Sequence, residues 1–389
     1  MDQKLTSSTL DHASDLFIFC GESSGDSIGA ELIQALLSLD ASLKISSVAG
    51  PKMRSYPIHT FIPMEEFQVM GFVDVLKSLP KLIKLFKTIK HHLLKYPPKA
   101  VVLIDYPGFN LRMASHLRKA GFQGAIIQYV CPSVWAWKKK RIQQMTHSLD
   151  LLLCIFPFEK ACFAHTSLPV DYVGHPLASH HPHQEENSLL LKEVNTPILS
   201  IFPGSRRKEL ERNFPLQLKA AAELSPDHYT LAVSCSQDAF KAFIEHERKK
   251  YPHKSIVLFS SQNNYTIMKK STLALATSGT ITLELALHGV PTLVTYGMSR
   301  FDIFLATHLF RIRLPHYCIA NYIINQRMFP ELYGPDFTYE TLSKTLALWL
   351  KDTSILSMCK QQCDLVKTAL YQEHPSLQAA QSILKYRSY

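Results

Sequence analysis

The 389-residue chain contains no Cys-x-x-Cys pair. Its eight cysteines (Cys20, Cys131, Cys154, Cys162, Cys235, Cys318, Cys359 and Cys363) are scattered. That argues against a disulfide framework, leaves no zinc site readable from spacing, and points to a reducing compartment. Long apolar runs are also missing: the longest, Leu151 to Phe158, falls far short of the ~20 residues that span a bilayer. The N-terminal stretch carries Asp2, Asp11 and Asp15 and lacks a basic-then-apolar leader, so no secretory signal is expected. Neither the Gly-x-Gly-x-x-Gly dinucleotide fingerprint nor a Gly-Lys-Ser/Thr phosphate loop occurs. No repeat stands out at a period of about 20–50 residues. The expectation is a cytoplasmic protein, soluble or peripheral on a membrane.

What is present suffices for two cores. With 46% hydrophobic residues, a chain of this length is expected to form two domains of roughly under 200 residues each. The balance of 42 Lys+Arg against 32 Asp+Glu gives a net charge of +10, which favours an anionic partner: nucleic acid, an acidic membrane surface or phosphorylated substrates. The polar stretch Ser179-His-His-Pro-His-Gln-Glu-Glu-Asn187 reads as the linker. Its His180, His181 and His183 read as solvated linker rather than as metal ligands, because no carboxylate or cysteine is positioned with them. The expected division is 1–185, 186–345 and a helical tail 346–389.

The first half begins with the apolar run Leu16-Phe-Ile-Phe-Cys20 and the turn Gly21-Glu-Ser-Ser-Gly-Asp26, where Ser24 or Asp26 is expected to cap a helix. Glycines 21, 25 and 29, spaced by four, fit a ligand turn or a turn packed tightly under a helix. From Ser78-Leu79-Pro80, a plausible helix start, Leu79, Leu82, Ile83, Phe86, Ile89 and Leu93 fall on one face, with Lys77, Lys81, Lys84 and Lys95 turned away. The segment is either a surface helix with its apolar face in the core or a basic amphipathic helix lying on an anionic membrane. Ala100-Val-Val-Leu-Ile104 reads as a strand ending in Asp105, at the strand end where α/β sheets place ligands, so Asp105 is a catalytic group or a cap. Strand Ala125–Val130 runs into Cys131-Pro-Ser-Val-Trp-Ala-Trp137 and Lys138-Lys-Lys-Arg141, where Trp135 and Trp137 stack a ligand or anchor a loop. A further strand is read at Leu149–Phe158.

The second half repeats the plan of strand, glycine turn and helix. Pro197–Phe202 leads into Pro203-Gly-Ser-Arg206, which suits a pyrophosphate held by close backbone approach and a guanidinium, or an exposed salt-bridged turn. Leu273–Ala276 leads into Thr277-Ser-Gly-Thr280, an opening where backbone N–H groups and a helix dipole hold phosphate. Glu284, one turn further, is placed to reach ribose hydroxyls. The alternation of strands and helices predicts parallel sheets.

Taken in order, Gly21-Glu-Ser-Ser-Gly-Asp26, Met70-Gly-Phe-Val-Asp-Val-Leu76, Ile104-Asp-Tyr-Pro-Gly-Phe-Asn110, Pro132-Ser-Val-Trp-Ala-Trp137 with Arg141, Pro157-Phe-Glu159, Val173-Gly-His-Pro176, Pro203-Gly-Ser-Arg206, Ser278-Gly-Thr280 with Glu284, and Asn321 ahead of Pro330-Glu331 closely resemble the lipid-A-disaccharide synthases. The resemblance implies an α/β protein of GT-B architecture, with two Rossmann-like parallel-sheet domains facing a cleft. It implies an inverting glycosyltransferase that joins UDP-2,3-diacylglucosamine to 2,3-diacylglucosamine 1-phosphate, giving the β-1,6 lipid A disaccharide 1-phosphate and UDP. Asp105 is the expected base, with Glu22 as competitor. Ser24, Asn110, Trp135, Trp137, Arg141, Gly204, Ser205, Arg206, Ser278, Gly279, Thr280, Glu284, Asn321 and Glu331 are the expected substrate-binding residues. No metal or cofactor is implied, since arginine and helix dipoles take the place of Mg²⁺. Acylated substrates favour the membrane reading of Leu79, Leu82, Ile83, Phe86 and Ile89, on the cytoplasmic face of the inner membrane. The tail is expected on the first domain of its own chain or of a partner, in which case the protein is a homodimer. No nucleic-acid partner is expected. The chain departs from the family at Gly108, where many members carry an acidic residue. The alternatives are another UDP-sugar enzyme of the same fold, such as a UDP-N-acetylglucosamine 2-epimerase or a different lipid-linked glycosyltransferase, and a noncatalytic nucleotide-sugar-binding membrane protein.

Overall fold

The computed structural model describes residues 14–67, 72–135, 140–179, 196–299, 302–303 and 314–387. The chain forms two compact units, Met1–Ser179 with Gln372–Tyr389, and His180–Tyr371.

The first unit runs β1 (Leu16–Cys20), α1 (Ser23–Leu39), β2 (Ile45–Ala49), β3 (His59–Pro63), α2 (Phe72–Lys95), β4 (Ala100–Ile104), α3 (Pro107–Lys119), β5 (Ala125–Tyr129), α4 (Lys140–Ser148), β6 (Leu151–Cys154), β7 (Val170–Tyr172) and α5 (Pro176–Ser179). Its seven strands are all parallel, in the order β3-β2-β1-β4-β5-β6-β7. The strands are apolar without alternation because helices cover both faces of the sheet. Leu16, Ile18 and Cys20 enter a core with Leu32, Ile33 and Leu36 of α1, while Phe17 and Phe19 enter the opposite core with Ile89 and Leu93 of α2. The glycines spaced by four are packing residues at 25 and 29. A Cβ on Gly25 would lie 3.2 Å from the Cys20 sulfur, and one on Gly29 would lie 2.6 Å from that of Met53. Only glycine lets α1 approach this closely.

The second unit runs β8 (Ile198–Phe202), α6 (Arg207–Leu224), β9 (Thr230–Cys235), α7 (Lys241–Arg248), β10 (Ile256–Ser260), α8 (Asn264–Lys270), β11 (Ser271–Thr277), α9 (Thr280–Leu287), β12 (Thr292–Tyr296), α10 (Ile319–Ile324), β13 (Glu331–Tyr333), α11 (Tyr339–Lys351) and α12 (Thr353–Leu370). Its sheet is also parallel, in the order β10-β9-β8-β11-β12-β13. The chain then returns to the first unit as α13 (Pro375–Arg387), whose Ala379, Ala380 and Ile383 join the α1 core. Ser376 Oγ donates to Glu31 at 3.1 Å. The fold class read from the sequence, two parallel Rossmann-like sheets, is the one observed.

Several boundaries move. The tail does not leave the second unit at 345/346. Leu342, Leu346 and Trp349 of α11 and Val366 and Leu370 of α12 are buried, and the second unit continues to Tyr371. Helical periodicity marks these segments as helices without saying which core they enter. The expected 185/186 boundary lies outside the described residues. Helix α2 starts at Phe72 and carries Pro80 inside it rather than at its start, so the ladder of N–H bonds lacks one member there. The largest change concerns its apolar stripe. Ile89 is 1% exposed and belongs to the core, and Leu82 and Phe86 pack against that core, whereas Leu79 and Ile83 are each 47% exposed. A helix that packs on a sheet spends most of its apolar face there, so Ile89 is unavailable to a membrane.

Truncating Ile89 to alanine is expected to cost about 2–4 kcal/mol through the cavity it leaves. Ile83→Ser should stay within about 0.5 kcal/mol of the parent. Urea unfolding of the two variants measures the difference, and equal losses would contradict the burial pattern.

Candidate active site

In a parallel sheet, the strand order reverses beside the first strand, and the crevice beyond the carboxyl ends of the two diverging strands receives ligands. Each unit has one such point, between β1 and β4 and between β8 and β11.

At the first, β1 ends before Glu22 and Ser24, and β4 ends before Asp105. Ser24 Oγ donates to Asp105 Oδ2 at 3.3 Å. Glu22 is exposed at the N-cap position of α1, where no side chain caps the helix. The expected cap Asp26 instead points inward, 3% exposed, and accepts the backbone N–H groups of Lys52 at 2.9 Å and Met53 at 3.1 Å. Burial raises the Asp105 carboxyl above its ordinary value, opposed by the Ser24 hydrogen bond and the Tyr106 backbone. The backbone here is strained: Asp105 and Tyr106 have φ of 48° and 43°, and Val130, at the end of the neighbouring strand, has 72°. Two buried carboxamides hold these turns. Asn110 Nδ2 donates to the carbonyls of Ile104, at 3.3 Å, and of Asp105. Gln128 Nε2 donates to the carbonyls of Asp105 and Val130, each at 3.1 Å. Asn110 is fully buried and shapes the Asp105 turn from beneath. Gln128 has no motif signal and was not anticipated; a buried polar residue in an otherwise apolar strand is the hint that could have found it. Gly21 lies under the Tyr106 ring, which a Cβ there would meet at 2.8 Å. Trp135 packs edge-on against Phe158 with ring centroids 5.4 Å apart. Arg141 is half-buried, and desolvation lowers its pKa. Trp137 lies outside the described residues.

At the second point, a pocket of about 530 Å³ is lined by the turns after β8 and β11 and by serines from the neighbouring strand ends. Gly204, with φ of 114°, is held where a Cβ would meet Glu209 at 2.8 Å. Glu209, in the first turn of α6, accepts Ser205 N–H at 3.3 Å and the Arg206 guanidinium at 2.9 Å. Arg206 is otherwise 82% exposed at the pocket rim. Across the pocket, Ser278, Gly279 and Thr280 open α9, whose positive end faces the same space. A Cβ on Gly279 would meet nothing within 4 Å, and its φ of 161° suits any residue. The missing side chain therefore leaves room beside the backbone without answering a need of the fold. Glu284 lines the pocket, and burial pushes its carboxyl up to about 7.

Asn321 and Glu331 do not line this pocket. Asn321 is fully buried; its Nδ2 donates to the Phe329 carbonyl and to Glu331 Oε1, both at 2.8 Å, and its Oδ1 accepts Phe329 N–H at 3.0 Å. Glu331 also accepts the N–H groups of Tyr317 at 3.1 Å and Cys318 at 3.0 Å. Both brace the approach to β13, whose last residue Tyr333 donates its hydroxyl to Ser278 Oγ at 2.5 Å. Through this chain of contacts they support the Ser278–Thr280 turn. Glu209, Ser234, Ser236 and Asn264 line the pocket and were not singled out in the sequence, although a polar residue just after an apolar run was the available signal.

Among the described residues, Cys131, Cys154 and Glu159 are the one trio whose possible metal-ligand atoms lie within 4.8 Å of one another. All three are buried. Burial pushes Glu159 up to about 8, and both thiols titrate above their usual range. The trio is therefore packed largely in neutral form. The histidines of the linker lie outside the described residues.

The family model "Lipid-A-disaccharide synthetase" matches residues 16–384. A lipid-A-disaccharide synthase of Chlamydia pneumoniae is 38% identical over 362 residues, which cover 90% of this chain and 60% of that protein. One of Chromobacterium violaceum is 29% identical over 382 residues, covering 94% of this chain and 95% of that protein. The chain spans between 54% and 62% of the length of its chlamydial relatives. Among solved structures, the S. aureus MnaA–UDP complex superposes with a TM-score of 0.64 at 12% identity over 96% of both chains, a likeness of GT-B-like fold.

Gly279→Ala should fold with a stability within about 1 kcal/mol of the parent, since its backbone suits any residue. It should bind UDP more weakly, because the added methyl occupies the pocket; calorimetric titration reads the affinity, and unchanged binding would remove Gly279 from the site. Glu284 gives a separate test. Its folded value of about 7 lies above the ordinary 4.5. Its contribution to stability is therefore fully present below pH 4.5 and is lost as pH rises through about 7. Glu284→Gln should flatten the unfolding free energy across that window, and a profile parallel to the parent's would contradict the assignment.

Proposed function

Because the chain belongs to the lipid-A-disaccharide synthetase family, we propose that it joins UDP-2,3-diacylglucosamine to 2,3-diacylglucosamine 1-phosphate, releasing UDP and forming the β-1,6 disaccharide 1-phosphate. One observation carries the reading. The same chain holds a carboxylate made more basic by burial at one switch point and a glycine-opened phosphate turn at the other.

Displacement at the anomeric carbon in one step inverts it and needs two things, a base for the acceptor hydroxyl and positive charge for the departing diphosphate. Asp105 takes the 6-hydroxyl proton. Its raised affinity for a proton suits this task, and the Ser24 hydrogen bond orients the accepting oxygen. Glu22 stands at the end of the neighbouring strand as the second carboxylate that can serve the acceptor. On the donor side, the Gly204–Ser205 backbone, Arg206, and the Ser278–Thr280 turn receive the diphosphate, where aligned N–H dipoles and a guanidinium stabilise charge that grows as the bond breaks. Glu284 accepts from the ribose hydroxyls. Trp135 and Arg141 line the acceptor side, the tryptophan face for the sugar and the guanidinium for its phosphate.

Both substrates carry acyl chains, so the enzyme works at a membrane surface. Among the described residues, no helix is long and apolar enough to cross one. Helix α2 supplies the docking element: Leu79 and Ile83 are exposed apolar residues on it, and the net charge of +10 favours an anionic leaflet. The site of work is the cytoplasmic face of the inner membrane.

Incubation with the UDP-diacylglucosamine and the monosaccharide 1-phosphate should yield disaccharide and UDP; release of a 2-epimer instead would favour the epimerase reading of this fold. Asp105→Asn should retain UDP binding and lose turnover by about 100-fold or more. Ser24→Ala removes a hydrogen bond that favours the ionised carboxylate, so the acid limb of the rate profile should move to higher pH. Full turnover in Asp105→Asn would assign the base elsewhere.

A further inference from the structure

Helix α2 continues past its exposed apolar residues into a feature that the glycosyl-transfer chemistry does not use. Its last turns and the edge strand β3 border a shallow, open hollow of about 460 Å³. Lys87, His91, His92 and Lys95 line it from the helix, and Phe61 and Tyr96 close its sides. The His92 ring stacks on Phe61 with centroids 4.1 Å apart and 20° between the planes, and the Lys95 ammonium lies 5.0 Å from the Tyr96 ring centre. Among the described residues, no carboxylate lines the pocket and neither lysine is ion-paired, whereas Lys81, two turns earlier, is bound to Glu66 at 2.7 Å. Two lysine ammonium groups thus line a hollow with apolar walls, beside two imidazoles of which burial, with His59 and His91 nearby, holds His92 below its ordinary value. Like charges placed together repel one another unless an anion joins them.

Leu79, Ile83, Lys87, His91 and Lys95 are spaced by four and all exposed. From Leu79 to Lys95 the helix rises about 24 Å. The row winds about 160° around the axis over that length, so its apolar start and its cationic end face different directions. A helix lying on a bilayer meets acyl chains on one side, which Leu79 and Ile83 suit, and headgroups around its flank, which the cationic end suits. We propose that the pocket formed by Phe61, Lys87, His91, His92, Lys95 and Tyr96 is a binding site for the phosphate-monoester headgroup of an anionic membrane lipid. A monoester has three free oxygens and up to two charges to satisfy several cations, while a diester offers fewer of both. The aromatic walls then cover the glycerol. The inference rests on the membrane reading of α2 and adds a headgroup preference to it.

The test uses the full chain and vesicles of phosphatidylcholine containing either phosphatidate or phosphatidylglycerol, matched in surface potential. The parent is expected to bind the phosphatidate vesicles about tenfold more tightly, a preference the paired Lys87→Ala/Lys95→Ala variant should lose. Lys84→Ala/Lys90→Ala removes the same charge from the same helix outside the pocket and should keep the preference. Leu79→Ser/Ile83→Ser should weaken binding to both vesicles while the preference remains; if it changes neither, the membrane reading of α2 fails on its own. A parent with no preference, or a preference lost equally in both lysine pairs, overturns the headgroup site. Titration with glycerol 3-phosphate identifies the other source of the same chemistry. Binding there that depends on Lys87 and Lys95, without any vesicle preference, would replace the lipid with a soluble ester and overturn the proposal. Thermal midpoints of all variants exclude unfolding as the cause.

Discussion

A parallel strand buried on both faces can carry almost no chemistry along its length, because every side chain enters a core. All five residues of β1, β4 and β8 are buried in this protein. Polar groups are forced to the ends, and of the two ends only the carboxyl one is followed at once by a turn and a helix whose N–H groups point back at it. That constraint places Glu22, Ser24 and Asp105 together in one unit, and Arg206 and Ser278–Thr280 around one pocket in the other. Neither cluster depends on a long-range fold coincidence. Each follows from strand pairing β1·β4 or β8·β11.

Concentrating function at the strand ends has a cost in backbone strain and in unmet hydrogen bonds. Asp105, Tyr106 and Val130 all sit at positive φ, each of which costs about 1–3 kcal/mol for a residue with a side chain. The carboxamides of Asn110 and Gln128 offset this by donating to the carbonyls that such turns leave without ladder partners. In doing so, each buries its own carbonyl oxygen without a partner among the described residues. The arrangement fixes the direction of the Asp105 carboxylate, since a turn with two left-handed residues has little freedom once its carbonyls are tied down.

The strands and the two strand-end clusters were legible in the sequence because both signals are local: an apolar run, then small, acidic or basic residues in the next few positions. The fate of an apolar stripe was not local. Leu79, Ile83 and Ile89 share a face by periodicity, yet Ile89 lies over the sheet and Leu79 and Ile83 project beyond it. Helical spacing gives the face and leaves open how far the neighbour beneath it extends. The same holds for α11 and α12, whose amphipathic pattern fits either unit's core.

A motif shows which residues a site cannot lose and does not separate those that touch a ligand from those that hold the touching residues in place. Asn321 and Glu331 make the difference concrete. Glu331 receives two backbone N–H groups and the Asn321 carboxamide, which pins the start of β13. Two residues further, Tyr333 presents its hydroxyl to Ser278, on the turn that opens α9. Burial raises the Tyr333 phenol well above its ordinary value, so at neutral pH it remains a donor and keeps the serine oxygen oriented. Removing Asn321 would therefore act on the Ser278 turn through two intermediaries. Its effect would resemble that of a ligand even though its own polar atoms are spent inside the protein.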